Sequence, residues 1–117
     1  MIVPPSGARV YLAMTPCDLR KGLDCLAAQV QGVLKADPFS GALFVFRGKR
    51  GDQLKILAWD GSGMCLFVKR LEAGRFVWPP IAEGRLALTA AQMALLIEGI
   101  DWRRTVAPEP VRRPEMV

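Results

Sequence analysis

A single α+β domain, an antiparallel β-meander of about four to six strands packed with two helices, is predicted by three features of this sequence. Short stretches rich in Val, Ile, Leu, Phe and Trp recur between glycine-containing turns from residue 42 to residue 78. Two other segments, near 19–35 and 90–98, repeat apolar residues at three- and four-residue steps, the period of a helix with one buried face. A chain of 117 residues with 51% hydrophobic content suits one modest core.

The elements follow in order. In 9-RVYLAM-14, Val10, Leu12 and Met14 alternate with Arg9, Tyr11 and Ala13, which predicts a strand. The stretch 15-TPCD-18 breaks it, and Asp18 is a candidate N-cap. Over 19–35, Leu19, Leu23, Leu26, Val30 and Val33/Leu34 form one helical face, weakened by Gly22 and Gly32. Turn residues in 37-DPFSG-41 end the helix. Residues 42-ALFVFR-47 are apolar in succession, as in a strand buried on both faces. The glycines of 48-GKRGD-52 predict a hairpin loop into a second strand, 53-QLKILAW-59. The turn 60-DGSG-63 leads to a third strand, 64-MCLFVKR-70, and 71-LEAG-74 to a fourth, 75-RFVW-78, which Pro79 and Pro80 stop. A short strand or lead-in covers 85-RLALT-89. Thr89 and Gln92 then form a capping-box pattern, opening a helix over Ala90–Glu98 that Gly99 terminates. The last residues, 105–117, hold three prolines and no periodicity, which predicts a disordered Pro-rich tail after a domain of residues 1–104.

Composition narrows the function. Sixteen Lys and Arg against eleven Asp and Glu give a formal net charge of +5 and a pI near 9.6, so a polyanion is a candidate partner. With no histidine, and with Cys17, Cys25 and Cys65 odd in number and without C-x-x-C spacing, neither a zinc site nor a disulfide framework is expected. Reduced thiols and a cytoplasmic location fit. No apolar run resembles a signal peptide or a membrane span. No Ser-His or Cys-His nucleophile pair can exist, and neither G-x-G-x-x-G nor a P-loop is present. We therefore assign no catalytic residue, metal or cofactor. Asp52 and Asp60 are the carboxylates a Mg²⁺-dependent nuclease would use, but both sit in Gly-containing turns that favour Asp for backbone reasons.

Charge is concentrated. Residues 46–78 hold seven basic side chains and three acidic ones, a surplus close to that of the whole chain. Arg47, Lys49, Arg50 and Lys55 are the first candidates for phosphate contact, since Lys and Arg offer positive donors and Arg can bind in bidentate fashion. Lys69 and Arg70 flank the next turn. Arg20 and Lys21 fall in the first turn of the predicted helix, where cations are mildly unfavourable. An external anion would resolve that discord, and so would pairing of Asp18 with Lys21 and Arg20 with Asp24. Arg103 and Arg104 follow Trp102 at the end of the domain. Each cluster also has a plain reading as a solvated, aggregation-resistant surface. Trp59, Phe67, Phe76 and Trp78 lie near these cations in sequence, as a base-stacking platform or as core.

The segments 18-DLRKGLDCLA-27, DPFSG through FRGKRGD and WDGSG to KRLEAGRFVWP, and 95-LLIEGIDWRR-104 resemble one known family. They are similar to the small accessory protein TnpB of IS66-type insertion sequences, encoded beside a large transposase. The resemblance runs over residues 3–104. Cys25 stands where the pattern usually has Gly, and Ala58 where it often has a larger aromatic residue. The resemblance implies a non-enzymatic accessory role in DNA transposition beside a DDE-type transposase. DNA at the element ends, the transposase and a second accessory protein are the implied partners. Two molecular roles stay open at this point: phosphate-backbone binding of DNA, or a module that docks on the transposase through the last helix and Trp102 without touching DNA.

Overall fold

The run Leu43–Phe46 explains the architecture, because all four side chains are buried and they point to opposite sides. The computed structural model describes residues 7–103. Its elements are β1 (Val10–Ala13), α1 (Leu23–Gly32), β2 (Leu43–Arg47), β3 (Gln53–Trp59), β4 (Met64–Arg70), β5 (Arg85–Leu88) and α2 (Ala90–Ile97). The five strands form one sheet in the order β4-β3-β2-β1-β5. Leu43 and Val45 join Val10, Leu12, Leu54 and Ile56 in a core closed by Met93, Leu96 and Ile97 of α2 and by Phe76 and Trp102. Phe44 and Phe46 join Leu57 in a second core closed by Leu26 and Val30 of α1. The sheet is thus covered on both faces, which is why β2 reads as continuous apolar sequence.

The α+β class and the meander of β2, β3 and β4 hold, with β3 and β4 paired over all seven residues. Three details differ from the sequence reading. First, β1 runs parallel to β2, and β5 pairs antiparallel on the outer side of β1. The chain between β1 and β2 carries α1, the crossover that a parallel pair requires. Second, the helix begins at Leu23, after Gly22, and not at Leu19. Asp18 caps no helix. It makes a tight turn in which Oδ1 accepts from the Arg20 N–H at 3.0 Å and its carbonyl accepts from the Lys21 N–H at 3.2 Å. Third, residues 75–78 form no strand and join no ladder, and two of their backbone groups bond outside the sheet. The Phe76 N–H donates to the Gly51 carbonyl, and the Val77 carbonyl accepts from the Trp102 indole.

The second helix matches its sequence signals. Thr89 Oγ1 accepts from the Gln92 N–H and Gln92 Oε1 accepts from the Thr89 N–H, completing the capping box. At its end Gly99 takes φ +74°, with Gly99 N–H on Leu96 O and Ile100 N–H on Leu95 O, a Schellman arrangement. Among the described residues, no helix is long and apolar enough to cross a membrane. The expected disordered tail, 105–117, lies outside the described residues.

Candidate nucleic-acid interface

The basic loop between β2 and β3 is held from two sides. Gly48 N–H donates to Gln53 O at 3.1 Å and Gly51 N–H to Gly48 O at 3.2 Å, closing the turn. Gly51 sits at φ +81°, and a Cβ there would stand 3.2 Å from the Trp78 indole nitrogen. Its carbonyl accepts from both the Phe76 N–H at 2.9 Å and the Trp78 indole N–H at 3.1 Å. Residues 76–78 therefore clamp the loop from the α2 side. On the other side Cys17 forms a parallel bridge with Gly48, and its N–H donates to Arg47 O at 3.0 Å. Leu19 is buried with its methyl group over Gly48, where a Cβ would come within 2.9 Å of it.

This bridge lays residues 17–21 beside the hairpin. Arg20, Lys49, Arg50 and Arg70 consequently line one open depression of about 470 Å³, with Asp18 and Asp52 on its walls. Arg70 arrives from the end of β4, opposite Gln53. Lys55 Nζ donates to the Lys21 carbonyl at 3.2 Å, which sets both lysines on the adjoining flank. Lys21 and Lys49 also share a neighbouring recess with Cys17 and Asp18. Six of the ten candidate cations, from three separate stretches of sequence, thus converge on one end of the sheet.

Of these six, Arg20 is in an ion pair. Its Nη2 donates to Asp18 Oδ2 at 2.8 Å and its Nε to Oδ1 at 3.0 Å. These bonds hold the Asp18 carboxyl well below the usual carboxylate range and raise Arg20. The partner is Asp18, not the Asp24 that helical spacing had offered.

Three other cations are placed elsewhere. Arg47 shares strand parity with Leu43 and Val45 and so turns toward the α2 side. Its Nη1 donates to Pro79 O at 2.9 Å and its guanidinium lies 5.1 Å from the Trp78 ring centre. Its Nε is enclosed without a hydrogen-bond partner, and burial lowers its pKa. Lys69 Nζ donates to Ile97 O at 2.7 Å, satisfying a carbonyl at the C-terminus of α2. Arg103 pairs with Asp101 beside the buried Trp102. Arg104 lies outside the described residues. Sequence reasoning missed Arg85, whose Nη1 donates to Leu34 O at 2.8 Å while the guanidinium covers Tyr11, tying the end of α1 to the sheet.

The carboxylates and thiols that other chemistries would draw on each have a place in the fold. Asp52 and Asp60 flank the seven-residue β3 at its two ends, roughly 25 Å apart at the rise of a strand, so they cannot share one metal. Asp60 instead accepts from the Ser62 and Gly63 N–H groups, which lower its pKa. Among the described residues, no cluster of three or more Cys, Asp or Glu could hold a metal ion. All three cysteines are free thiols. Burial raises Cys17, and a hydrogen bond to Asp60 raises Cys65, so neither is set up as a thiolate nucleophile.

Comparison with known proteins gives the context for this surface. A family model described as "IS66 Orf2 like protein" matches residues 8–107. The chain is 46% identical over 117 residues to the uncharacterized protein y4jC of Sinorhizobium fredii (strain NBRC 101917 / NGR234), covering 100% of this chain and 99% of that one. It is 49% identical over 115 residues to the uncharacterized protein y4hO of the same strain, covering 97% of each. No solved structure matches the chain significantly. The basic hairpin and the two-faced sheet that supports it are therefore those of an IS66 Orf2-like protein, and the chain belongs to this family of IS66-type transposition accessory proteins.

Proposed function

We propose that this protein serves IS66-type transposition by gripping DNA through its phosphates, without catalysing strand chemistry itself. The observation that carries the reading is the convergence of Arg20, Lys21, Lys49, Arg50, Lys55 and Arg70 on one end of the sheet. Phosphate oxygens are the usual target of such a cluster, and contacts to them set position rather than sequence. Arg47 and Lys69 supply the frame: one locks the hairpin to residues 78–79, the other closes α2.

Gel-shift titration of the pure protein on element-end DNA, repeated across a salt series, tests this. Log affinity should fall linearly with log salt, by about 0.9 for each phosphate neutralised. The Lys49→Ala/Arg50→Ala variant should bind more weakly and with a shallower slope. No binding at low salt, or a flat salt dependence, sinks the reading.

The docking alternative places the contact on the last helix and Trp102. Met93, Leu96, Ile97 and Trp102 are all buried against the sheet, which leaves them little surface to offer a transposase. Capture of the transposase from nuclease-treated extract, insensitive to salt, is the result that would favour docking over DNA.

A further inference from the structure

We infer that the phosphates held at this end belong to a duplex and not to an unpaired strand, an inference that rests on the phosphate-binding reading above. Sequence-tolerant binders of single strands combine a cationic groove with aromatic rings on which successive bases stack. In this protein the two ingredients are segregated. All nine rings (five Phe, three Trp and one Tyr) lie among the described residues, so each can be placed.

Phe44, Phe46, Phe76 and Trp102 are buried, and the Trp102 indole N–H is committed to Val77 O at 2.7 Å. Tyr11 is stacked on Phe44 and covered on its outer side by Arg85. Phe67 is partly buried against the core that α2 helps to close. Phe39 and Trp59 meet edge to face, 5.3 Å between centres, at the far end of β3 from the basic loop. Trp78 alone stands close to the cations. Its N–H is taken by Gly51 O, the Arg47 guanidinium occupies one face, and Phe76 lies tilted against it at 5.6 Å. No ring borders the depression ringed by Arg20, Lys49, Arg50 and Arg70.

The cations themselves stand on a stiff base. Lys49 and Arg50 ride a loop clamped by Gly51 and bridged by Cys17, while Lys55 and Arg70 project from paired strands. Cations whose backbone positions are set by the fold gain most from phosphates that are themselves held at a regular spacing. The duplex presents about one charge per 1.7 Å of axis, twice the density of one strand. An unpaired strand forfeits its stacking gain here and would have to be ordered by the charges alone.

The test uses the full chain with a short duplex of mixed sequence and with each of its strands alone, matched in nucleotide number, over a salt series. The duplex should bind about tenfold more tightly than either strand, with the steeper salt slope. Lys49→Ala/Arg50→Ala should weaken duplex binding, while Phe39→Ala should leave binding to every probe unchanged. A single strand bound as tightly as the duplex, or more tightly, overturns the inference and leaves phosphate binding standing. So does a loss of single-strand affinity in Phe39→Ala, which would place bases on the Phe39–Trp59 pair. Binding to none of the probes at low salt overturns both this inference and the reading beneath it.

Discussion

Arg47 and Lys49 are two residues apart and carry the same charge, yet they belong to different parts of the molecule. Arg47 is the last residue of β2 and turns toward the α2 side, with its guanidinium over Trp78 and bonded to Pro79 O. Lys49 lies on the hairpin, exposed at the rim of the depression. Lys69 and Arg70 repeat the contrast on adjacent positions of β4: Lys69 is bonded to Ile97 O, and Arg70 faces the depression. Strand parity and the approach of residues 76–80 decide which cation is bonded into the fold and which stays exposed at the depression. Net charge alone cannot make that distinction.

The largest expected effect tests the inner member. Arg47→Ala removes a hydrogen bond, a cation–π contact and the stem packed beneath them, and should cost about 2 kcal/mol of stability. Chemical denaturation measures it. DNA affinity of the folded fraction should change little, since Arg47 does not line the depression. The outer member should behave oppositely. Lys49→Ala/Arg50→Ala should leave stability within about 0.5 kcal/mol, as exposed loop substitutions do. It should weaken DNA binding by about tenfold or more at low salt and reduce the slope by about 1.8, two phosphates at 0.9 each. A variant that lost stability and kept its slope would reverse the assignment of the two residues.

Lys69→Met sharpens the same comparison on β4 with a smaller effect. The methionine keeps an apolar stem of similar reach and removes only the ammonium from Ile97 O. A loss of about 1 kcal/mol is expected, from one charge-assisted bond at a helix C-terminus. Arg70→Ala, next to it, should instead lower the salt slope and barely move the unfolding midpoint.

Much of this frame was legible in the residues. The alternation in β1, the double-sided apolar run of β2, the glycine turns at 48–52 and 60–63 and the capping box at Thr89 each appear where their chemistry pointed. Legibility failed where tertiary contacts competed with local ones. Residues 75–78 have strand composition, but the Phe76 N–H is taken by Gly51 O and the Val77 carbonyl by the Trp102 indole, two backbone groups a ladder would need. Asp18 looked like an N-cap, yet Leu19 is drawn under Gly48, and the chain turns there before the helix starts at Leu23. The candidate site was legible as a cluster in sequence but not in its membership. That Arg20 and Lys21 lie beside Lys49 and Arg50 depends on the bridge between Cys17 and Gly48, and no local pattern announces it. Arg85, opposite Ala13 on the edge of the sheet, gave no sign at all of reaching Leu34 O.

Arg20 lies between the two kinds of cation, and it offers the smallest and most discriminating test. Its guanidinium borders the depression but is already paired with Asp18. Asp18→Asn keeps a side-chain oxygen for the Arg20 N–H and removes the negative charge, so the turn should persist while Arg20 is released. DNA affinity should rise about two- to threefold and the salt slope should steepen by up to about 0.9, one further phosphate. The pH dependence provides the control. Because the folded pKa of Asp18 lies below its unfolded value of about 3.9, its stabilising contribution is complete above that value and is lost as pH falls through the folded value. The difference in melting temperature between the native chain and Asp18→Asn should therefore be constant near neutrality and shrink below about pH 4. If that acid limb is seen while DNA affinity stays fixed, Asp18 and Arg20 serve the turn alone. The anion site would then contract to Lys49, Arg50 and Arg70 with the lysines beside them.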